Sequence, residues 1–465
     1  MKKVIYVIML LLMAACDSKL DIVPKGKTVL DNIDDLKLLL NQMYTVDTPL
    51  NDLSIICNES YSYYNRVPII LAQNNTLAKA YLAYDESIDR TKLVSQDSRY
   101  NQLYSYINYM NVLIDKIDVT EGDETMKMQI SAEAHIMRAY FHWLLVNLFA
   151  SQYNNAETAS QEGGIPYVND LNIQNIKEKQ TLGQVYDNIL ADCADEYIKA
   201  LPDKHSNIYR GDKAWGNAVR AKVLMQMKRY SDALPYALTS LQYNSTIQDR
   251  STIMTTYDWS LPRVIDDNLV LIAGPLSPYG EALSIETVAK FEPGDYVKDY
   301  ARYGATKSGD YAWSPIFGLS KSGIDGSLYY VGSSTYINTW GITSDRMYYT
   351  AAECYIRIGK YQEGLDLVNK VRKYRIDSTH YTEFKASTED TAMKLLQKAK
   401  WIECIATYEN FFDCKRWNTE DNYKTTITRV IPNIGTYSLR PDSPLWIFPF
   451  GSDNVSFNPT LTQNY

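Results

Sequence analysis

The sequence predicts a mostly α-helical body built on tetratricopeptide-like helix pairs, an α–α superhelix, with a large irregular, loop-rich insert carrying short strands. Three observations point to this class. Apolar residues recur at helical spacing in long stretches on both sides of the insert. A helix–turn–helix pattern occurs twice, 131 residues apart. The segment between the copies, about 245–343, is rich in Gly, Ser, Pro, Tyr and Trp and has no helical period.

The first residues stand apart from that body. Met1-Lys2-Lys3 is basic, Val4 to Met13 is an apolar run, and Ala14-Ala15-Cys16 follows. The run suits a signal-peptide core and is too short for a ~30 Å hydrocarbon layer, which takes about 20 residues. Small residues directly before a cysteine are what a bacterial lipoprotein signal carries. Met13 stands where leucine is usual in such signals, and an ordinary secretory signal cut after Ala15 is the alternative. The expected organisation is a lipoprotein signal peptide over 1–15 and a single body over 16–465, with lipid attached at Cys16. No later apolar run is long, so the expected membrane link is the N-terminal lipid alone.

The body follows in order. From Glu133 to Phe149, Met137, Tyr140, Phe141, Leu144, Leu145 and Leu148 form a stripe broad enough to be buried on most sides. Tyr186, Ile189 and Asp192 belong to a further helix, closed by Leu201-Pro202. One helix pair carries Ala221, Leu224, Lys228, Tyr230 and Ala233; the other carries Ala352, Tyr355, Gly359, Tyr361 and Gly364. Small residues let the paired helices approach, and an aromatic just past the turn wedges between them. Within the insert, Asn268 to Ala273 and Ser327 to Val331 read as short strands. A long irregular segment in a compact protein is usually functional. Residues 50–75 have the same character, with Tyr61, Tyr63 and Tyr64 beside Asn58 and Asn65.

Composition narrows the function. Apolar content is 45% and net charge is −8, or −10 without Lys2 and Lys3. Such a surface gives no electrostatic basis for nucleic-acid binding. The chain has 39 tyrosines against 10 phenylalanines, which suits half-wet recognition surfaces. Five cysteines follow Cys16, and an odd number cannot all pair. Cys404 and Cys414, read on one helix, would lie about 15 Å apart, beyond the about 7 Å a disulfide allows. Buried free thiols are expected. No HExxH, G-x-S-x-G, P-loop or G-x-G-x-x-G is present. His135 and His142 sit about 10 Å apart along one helix, too far to share a metal. Neither metal nor cofactor is expected. Asp266-Asp267 reads as a solvated turn, although carboxylates are numerous enough that only their separation in space decides a glycosidase pair.

Sugar capture asks for other residues: a flat aromatic for the C–H face of the ring, with amides, carboxylates or guanidinium groups at the rim. Trp143, Trp215 and Trp401 fall on helices and read as core; Trp417 and Trp446 read as structural. Trp259, Trp313 and Trp340 remain, all in the insert and all with aromatic company, Tyr311 beside Trp313 among them. With Tyr61, Tyr63 and Tyr64 they form the expected ligand platform.

Several fragments together resemble one family. Leu20-Asp21-x-x-Pro24, Ala132-Glu133-Ala134, Arg138-Ala139-Tyr140-Phe141, Gly163-Gly164-Ile165-Pro166 and Val185-Tyr186 occur in its order. So do Ala351-Ala352-Glu353, Val368-Asn369-x-Val371-Arg372, Asp413-x-x-Arg416-Trp417 and Asn458-Pro459-x-Leu461-x-Gln463-Asn464. The chain resembles the SusD/RagB family of outer-membrane lipoproteins over nearly its whole mature length. Thr407, Tyr408 and Asn410 depart from it, standing where an acidic-glycine pair and an arginine are usual. The resemblance implies a cell-surface, lipid-anchored outer-membrane protein that is not an enzyme. It would bind nutrient oligosaccharides and deliver them to a SusC-like TonB-dependent transporter. Peptide cargo with the same role is the first alternative; a secreted hydrolase and an assembly scaffold are the others. The C-terminal fragments are expected to lock the fold.

Overall fold

Helix α1 (Ile33–Leu40), strand β1 (Ser60–Ser62) and the long helices α2 (Ser98–Ile117) and α3 (Glu124–Phe149) open the structure. It is a computed structural model describing residues 32–46, 51–62, 66–172, 174–256, 267–274, 281–300, 302–304, 311–313, 317–332 and 338–465. Cys16 and the signal segment lie outside the described residues. Asp97 starts α2 by accepting hydrogen bonds from the N–H groups of Arg99 and Tyr100. The stripe from Met137 to Phe149 places α3 at the centre, buried on most sides as its breadth requires. Helix α4 (Leu182–Asp192) packs on α3 and begins with a reciprocal Thr181–Gln184 capping box.

The two repeats are helix pairs. Helices α5 (Lys213–Gln226) and α6 (Tyr230–Tyr243) form the first; α7 (Ser344–Arg357) and α8 (Tyr361–Arg372) form the second. Both turn on a left-handed residue at the equivalent place, Lys228 at φ 60° and Gly359 at φ 87°. Glycine takes that conformation freely, whereas lysine is strained in it. Ala221 and Ala352 are fully buried in the contacts between helices. A Cβ on Gly364 would stand 2.6 Å from the Ala352 carbonyl oxygen, so the second pair needs glycine there. Helix α6 packs on α7, which stacks the pairs across the insert and makes the superhelix. Helices α9 (Glu389–Glu403) and α10 (Glu409–Trp417) follow. Cys404 ends α9 and Cys414 lies in α10, separated by a turn with Ala406 at φ 60°, so they do not share the one helix expected of them. Both are free thiols.

The insert combines a buried frame with a sheet of short strands. A short helix, Arg250–Thr256, precedes strand β2 (Asn268–Val270) and, after β3 (Glu281–Leu283), β4 (Phe317–Lys321) and β5 (Leu328–Gly332), β6 (Ile342–Thr343) returns antiparallel to β2. Asn338 fastens this closure, donating to the Val270 carbonyl and accepting from the N–H groups of Ile272 and Gly341. Strands β4-β5-β3-β1 form one antiparallel sheet that joins the insert to Ser60–Ser62. Leu269, Val270, Ile272 and Ile342 are fully buried, so the frame belongs to the main core, which runs from Leu36 to Leu461. A final hairpin, β7 (Ile427–Ile431) and β8 (Gly435–Leu439), follows α10.

Candidate functional site

Most of the charged residues that look functional are paired inside the scaffold. Arg416 holds Glu353 with two bonds of 2.7 and 2.8 Å and Asp413 with one of 2.9 Å; the Trp417 indole N–H donates to Glu353. Glu409 accepts a hydrogen bond from Lys222 at 2.6 Å and lies in ion-pair contact with Arg346 at 3.2 Å, and Lys400 lies 2.5 Å from Asp413. Glu403 takes Arg375 and Arg250. Burial alone would raise these carboxyls, but the facing cations win and hold Glu353, Glu403 and Glu409 down to about 2. Near the N-terminal end, Arg138 grips Asp192 with two bonds and Arg210 grips Glu133. At the C-terminus the Asn464 side chain donates to the carbonyls of Phe149 and Gly164, closing the chain onto α3. The recurring fragments are therefore the joints of the fold.

The histidines are structural as well. His142 donates from Nδ1 to the Arg138 carbonyl and accepts the Val168 N–H at Nε2, so it is neutral, and burial holds its pKa down at about 3. His135 stacks on Tyr197 and bonds Asp192. Asp267 is buried rather than in a solvated turn; burial and then the neighbouring Asp345 push its carboxyl well up.

One cleft of about 390 Å³ combines aromatic and polar walls. Its first wall is a face of α9, where Lys394, Gln397, Lys398 and Trp401 recur at i, i+3, i+4 and i+7. Opposite stand Glu286, on the short helix Ile285–Val288, and Lys290 just beyond it. Trp417, Asn418 and Tyr423 close the α10 end, and residues 425–428 lead into β7. Cys57, Asn58 and Cys414 line it from the scaffold side. Burial pushes both thiols up, which favours the neutral form.

The indole of Trp401 is half-buried. Its N–H donates to Thr287 Oγ1 at 2.9 Å, and the Lys290 ammonium stands 5.0 Å from the ring centre. Among the described lining residues Glu286 is the one carboxylate, and Asn58 Nδ2 and the Val430 N–H both donate to it. Glycoside hydrolysis by two carboxylates requires a pair. Asn58 is itself fixed, at φ 63°, by a bond from Arg429. The arrangement offers aromatic walls, amides and ammonium groups, which is binding chemistry.

The expected platform is only partly in view, and two members are corrected. Trp340 is fully buried. Its ring stacks on Tyr408 at 6.1 Å, its carbonyl accepts the Tyr140 hydroxyl, and its indole N–H has no partner among the described residues. Closure of the insert by β2 and β6 traps it there. Tyr61 is also fully buried; its hydroxyl donates to the Val430 carbonyl and accepts the Ile285 N–H, tying β7 to the short helix. Trp259, Tyr63 and Tyr64 lie outside the described residues. Tyr311 and Trp313 end a strand whose backbone pairs antiparallel with Arg302–Gly304. Trp401, read from sequence as core, faces the cleft instead. The helical recurrence of Lys394, Gln397 and Lys398 with Trp401 was the available signal, since a polar stripe marks an open face.

Residues 20–225 match a SusD-like family model described as starch-binding and associating with the outer membrane, and residues 295–465 match the SusD family model. No curated protein sequence matches. Among solved structures, a SusD superfamily protein from Bacteroides thetaiotaomicron is 16% identical with a TM-score of 0.66, over 93% of this chain and 100% of that one. A SusD-like carbohydrate binding protein from Bacteroides vulgatus is 13% identical with a TM-score of 0.64, over 92% and 97%. Surface glycan-binding protein A from Bacteroides uniformis is 16% identical with a TM-score of 0.65, over 93% and 98%. These identities speak for a shared fold. With models of one family matching both ends, around the joints made by Glu133, Arg138, Glu353 and Arg416, the chain belongs to the SusD/RagB family.

Proposed function

We propose that this chain is a cell-surface lipoprotein that binds nutrient oligosaccharides and delivers them to a SusC-like TonB-dependent transporter in the outer membrane, without chemically altering them. The mature body, 16–465, is anchored by lipid on Cys16. The observation that carries this reading is the Trp401 cleft, where an indole beside amides and ammonium groups matches the two needs of a sugar ring. Trp259, Trp313, Tyr311, Tyr63 and Tyr64 are also proposed as ligand contacts.

Magnitudes suit a carrier. An aromatic contact contributes roughly 0.5–1.5 kcal/mol beyond area burial, and millimolar affinity is about −4 kcal/mol. Two aromatic contacts with a few hydrogen bonds therefore hold cargo loosely enough to release it.

The test is calorimetric titration of the mature protein with panels of oligosaccharides and oligopeptides. Binding to at least one oligosaccharide, weakened by Trp401→Ala and without new reducing ends, is expected. Binding of peptides alone would move the cargo to the alternative reading, and turnover of a bound glycan would overturn the non-enzymatic one. Cys16→Ala is expected to leave the protein without lipid label and off the membrane.

A further inference from the structure

Every buried cation of the scaffold has an oxygen partner, a carboxylate for most and backbone carbonyls for Arg90, Lys415 and Arg429, whereas the half-buried Lys290 and Lys398 of the cleft have none among the described residues. Among the described residues no carboxylate lies within ion-pair distance of Lys290 or Lys398. Lys394, at the mouth, pairs with Asp390 and is exposed. Lys290 and Lys398 also line a neighbouring cavity of about 20 Å³, which places their side chains between the two spaces.

The nearby acids are already taken. Glu292 receives two bonds from Arg372, of 2.9 and 2.7 Å. Glu403 receives Arg375 and Arg250. Glu286 receives Asn58 and the Val430 N–H. Asp295 is turned to the N–H groups of Val297 and Lys298. In a chain of net charge −8, the cleft carries three lysines against one carboxylate. Burial lowers the pKa of Lys290, with Cys414, Glu286 and Cys57 only partly opposing this. An oxyanion in the cleft would supply the missing counter-charge through charge-assisted hydrogen bonds.

Building on the glycan reading, we propose that the cleft selects acidic glycans, in which an oxyanion on the sugar meets Lys290 and Lys398 while the ring packs beside Trp401. Carboxylate and sulfate share that chemistry. Lys290 and Lys398 are then specificity-determining residues, and the aromatic walls supply affinity common to neutral and acidic sugars.

Matched pairs of ligands test this by calorimetry on the mature protein at low and high salt. One arm compares oligogalacturonate with its methyl ester, for carboxylate. The other compares sulfated with desulfated chondroitin oligosaccharide, where desulfation leaves the uronate and isolates the sulfate. At low salt the acidic member of at least one pair should bind about tenfold tighter or more, as one hydrogen bond to a charged group implies. The preference should shrink with salt. Lys290→Gln and Lys398→Gln should each reduce it, and Lys290→Arg should keep it, with melting temperatures unchanged. Equal or better binding of the less charged member in both pairs overturns the proposal, as does wild-type preference in Lys290→Gln. If glycans bind through Trp401 without charge preference, this inference falls and the glycan reading stands. If only peptides bind, both fall.

Discussion

Lys400 and Lys398 stand two residues apart on α9 in opposite surroundings. Lys400 is buried, with Asp413 at 2.5 Å and Glu409 at 3.9 Å. Lys398 is half-buried in the cleft wall and has no carboxylate partner among the described residues. One face of α9 closes the joint between the helix pairs and the C-terminal helices; the other faces the cleft. Burying a charge is costly unless it is paired and hydrogen-bonded. Where the scaffold buries a cation it supplies an oxygen partner, a carboxylate or, for Arg90, Lys415 and Arg429, backbone carbonyls, and the half-buried lysines of the cleft are proposed to take theirs from a ligand.

The joint side should break first in acid. Glu353, Glu403 and Glu409 titrate near about 2 when folded, below the ordinary 4.5. The sign is that of depressed acids: their contribution is full above about 4.5 and is lost as pH falls through about 2. Each is of order 3 kcal/mol. Urea denaturation between pH 5 and 3 should show a steep loss of stability. Glu59 acts in the opposite sense, because burial raises it to about 7, so its contribution declines as pH rises toward neutrality. A flat profile would contradict the pairing.

Single substitutions sharpen the contrast. Glu353→Ala takes from the buried Arg416 its two-bonded carboxylate, leaving Asp413 alone to face it, and should cost about 3–5 kcal/mol in denaturant midpoint analysis. Gly364→Ala forces a Cβ toward the Ala352 carbonyl and should cost about 1–3 kcal/mol. Lys398→Gln, on the cleft side, should change stability by less than about 0.5 kcal/mol.

The helix pairs were legible because their signals are local. Ala221, Ala352 and Gly359 sit where close packing or a left-handed turn restricts the choice of residue. The strands at Asn268 to Ala273 and near Ser327 to Val331 were legible from β-branched and aromatic runs. The fragments around Glu353 and Arg416 named the joint, although sequence order does not reveal which charges meet. Two tryptophans are placed the other way round from the sequence reading, while Trp143, Trp215 and Trp446 are buried as expected. Trp340 lies in a loop, but Asn338 and the β2–β6 closure seal it inside. Trp401 lies on a helix near its end at Cys404, and one side of that helix is left uncovered by its neighbours. Whether a side chain is covered depends on what packs over it, and local period does not encode that. Tyr61 misled for the same reason, since Val430 and Ile285, far along the chain, take its hydroxyl.

Trp401 and Trp340 together give the most direct measurement. The same oligosaccharide, chosen because it binds the wild type, is titrated into Trp401→Ala and Trp340→Ala, and each variant is melted. Trp401→Ala should lose about 1–3 kcal/mol of binding, the scale of aromatic stacking on ring ligands, with a small change in melting temperature. Trp340→Ala should lose about 3–5 kcal/mol of stability and, while folded, bind as the wild type does. Full binding by Trp401→Ala would contradict the cleft as the ligand site.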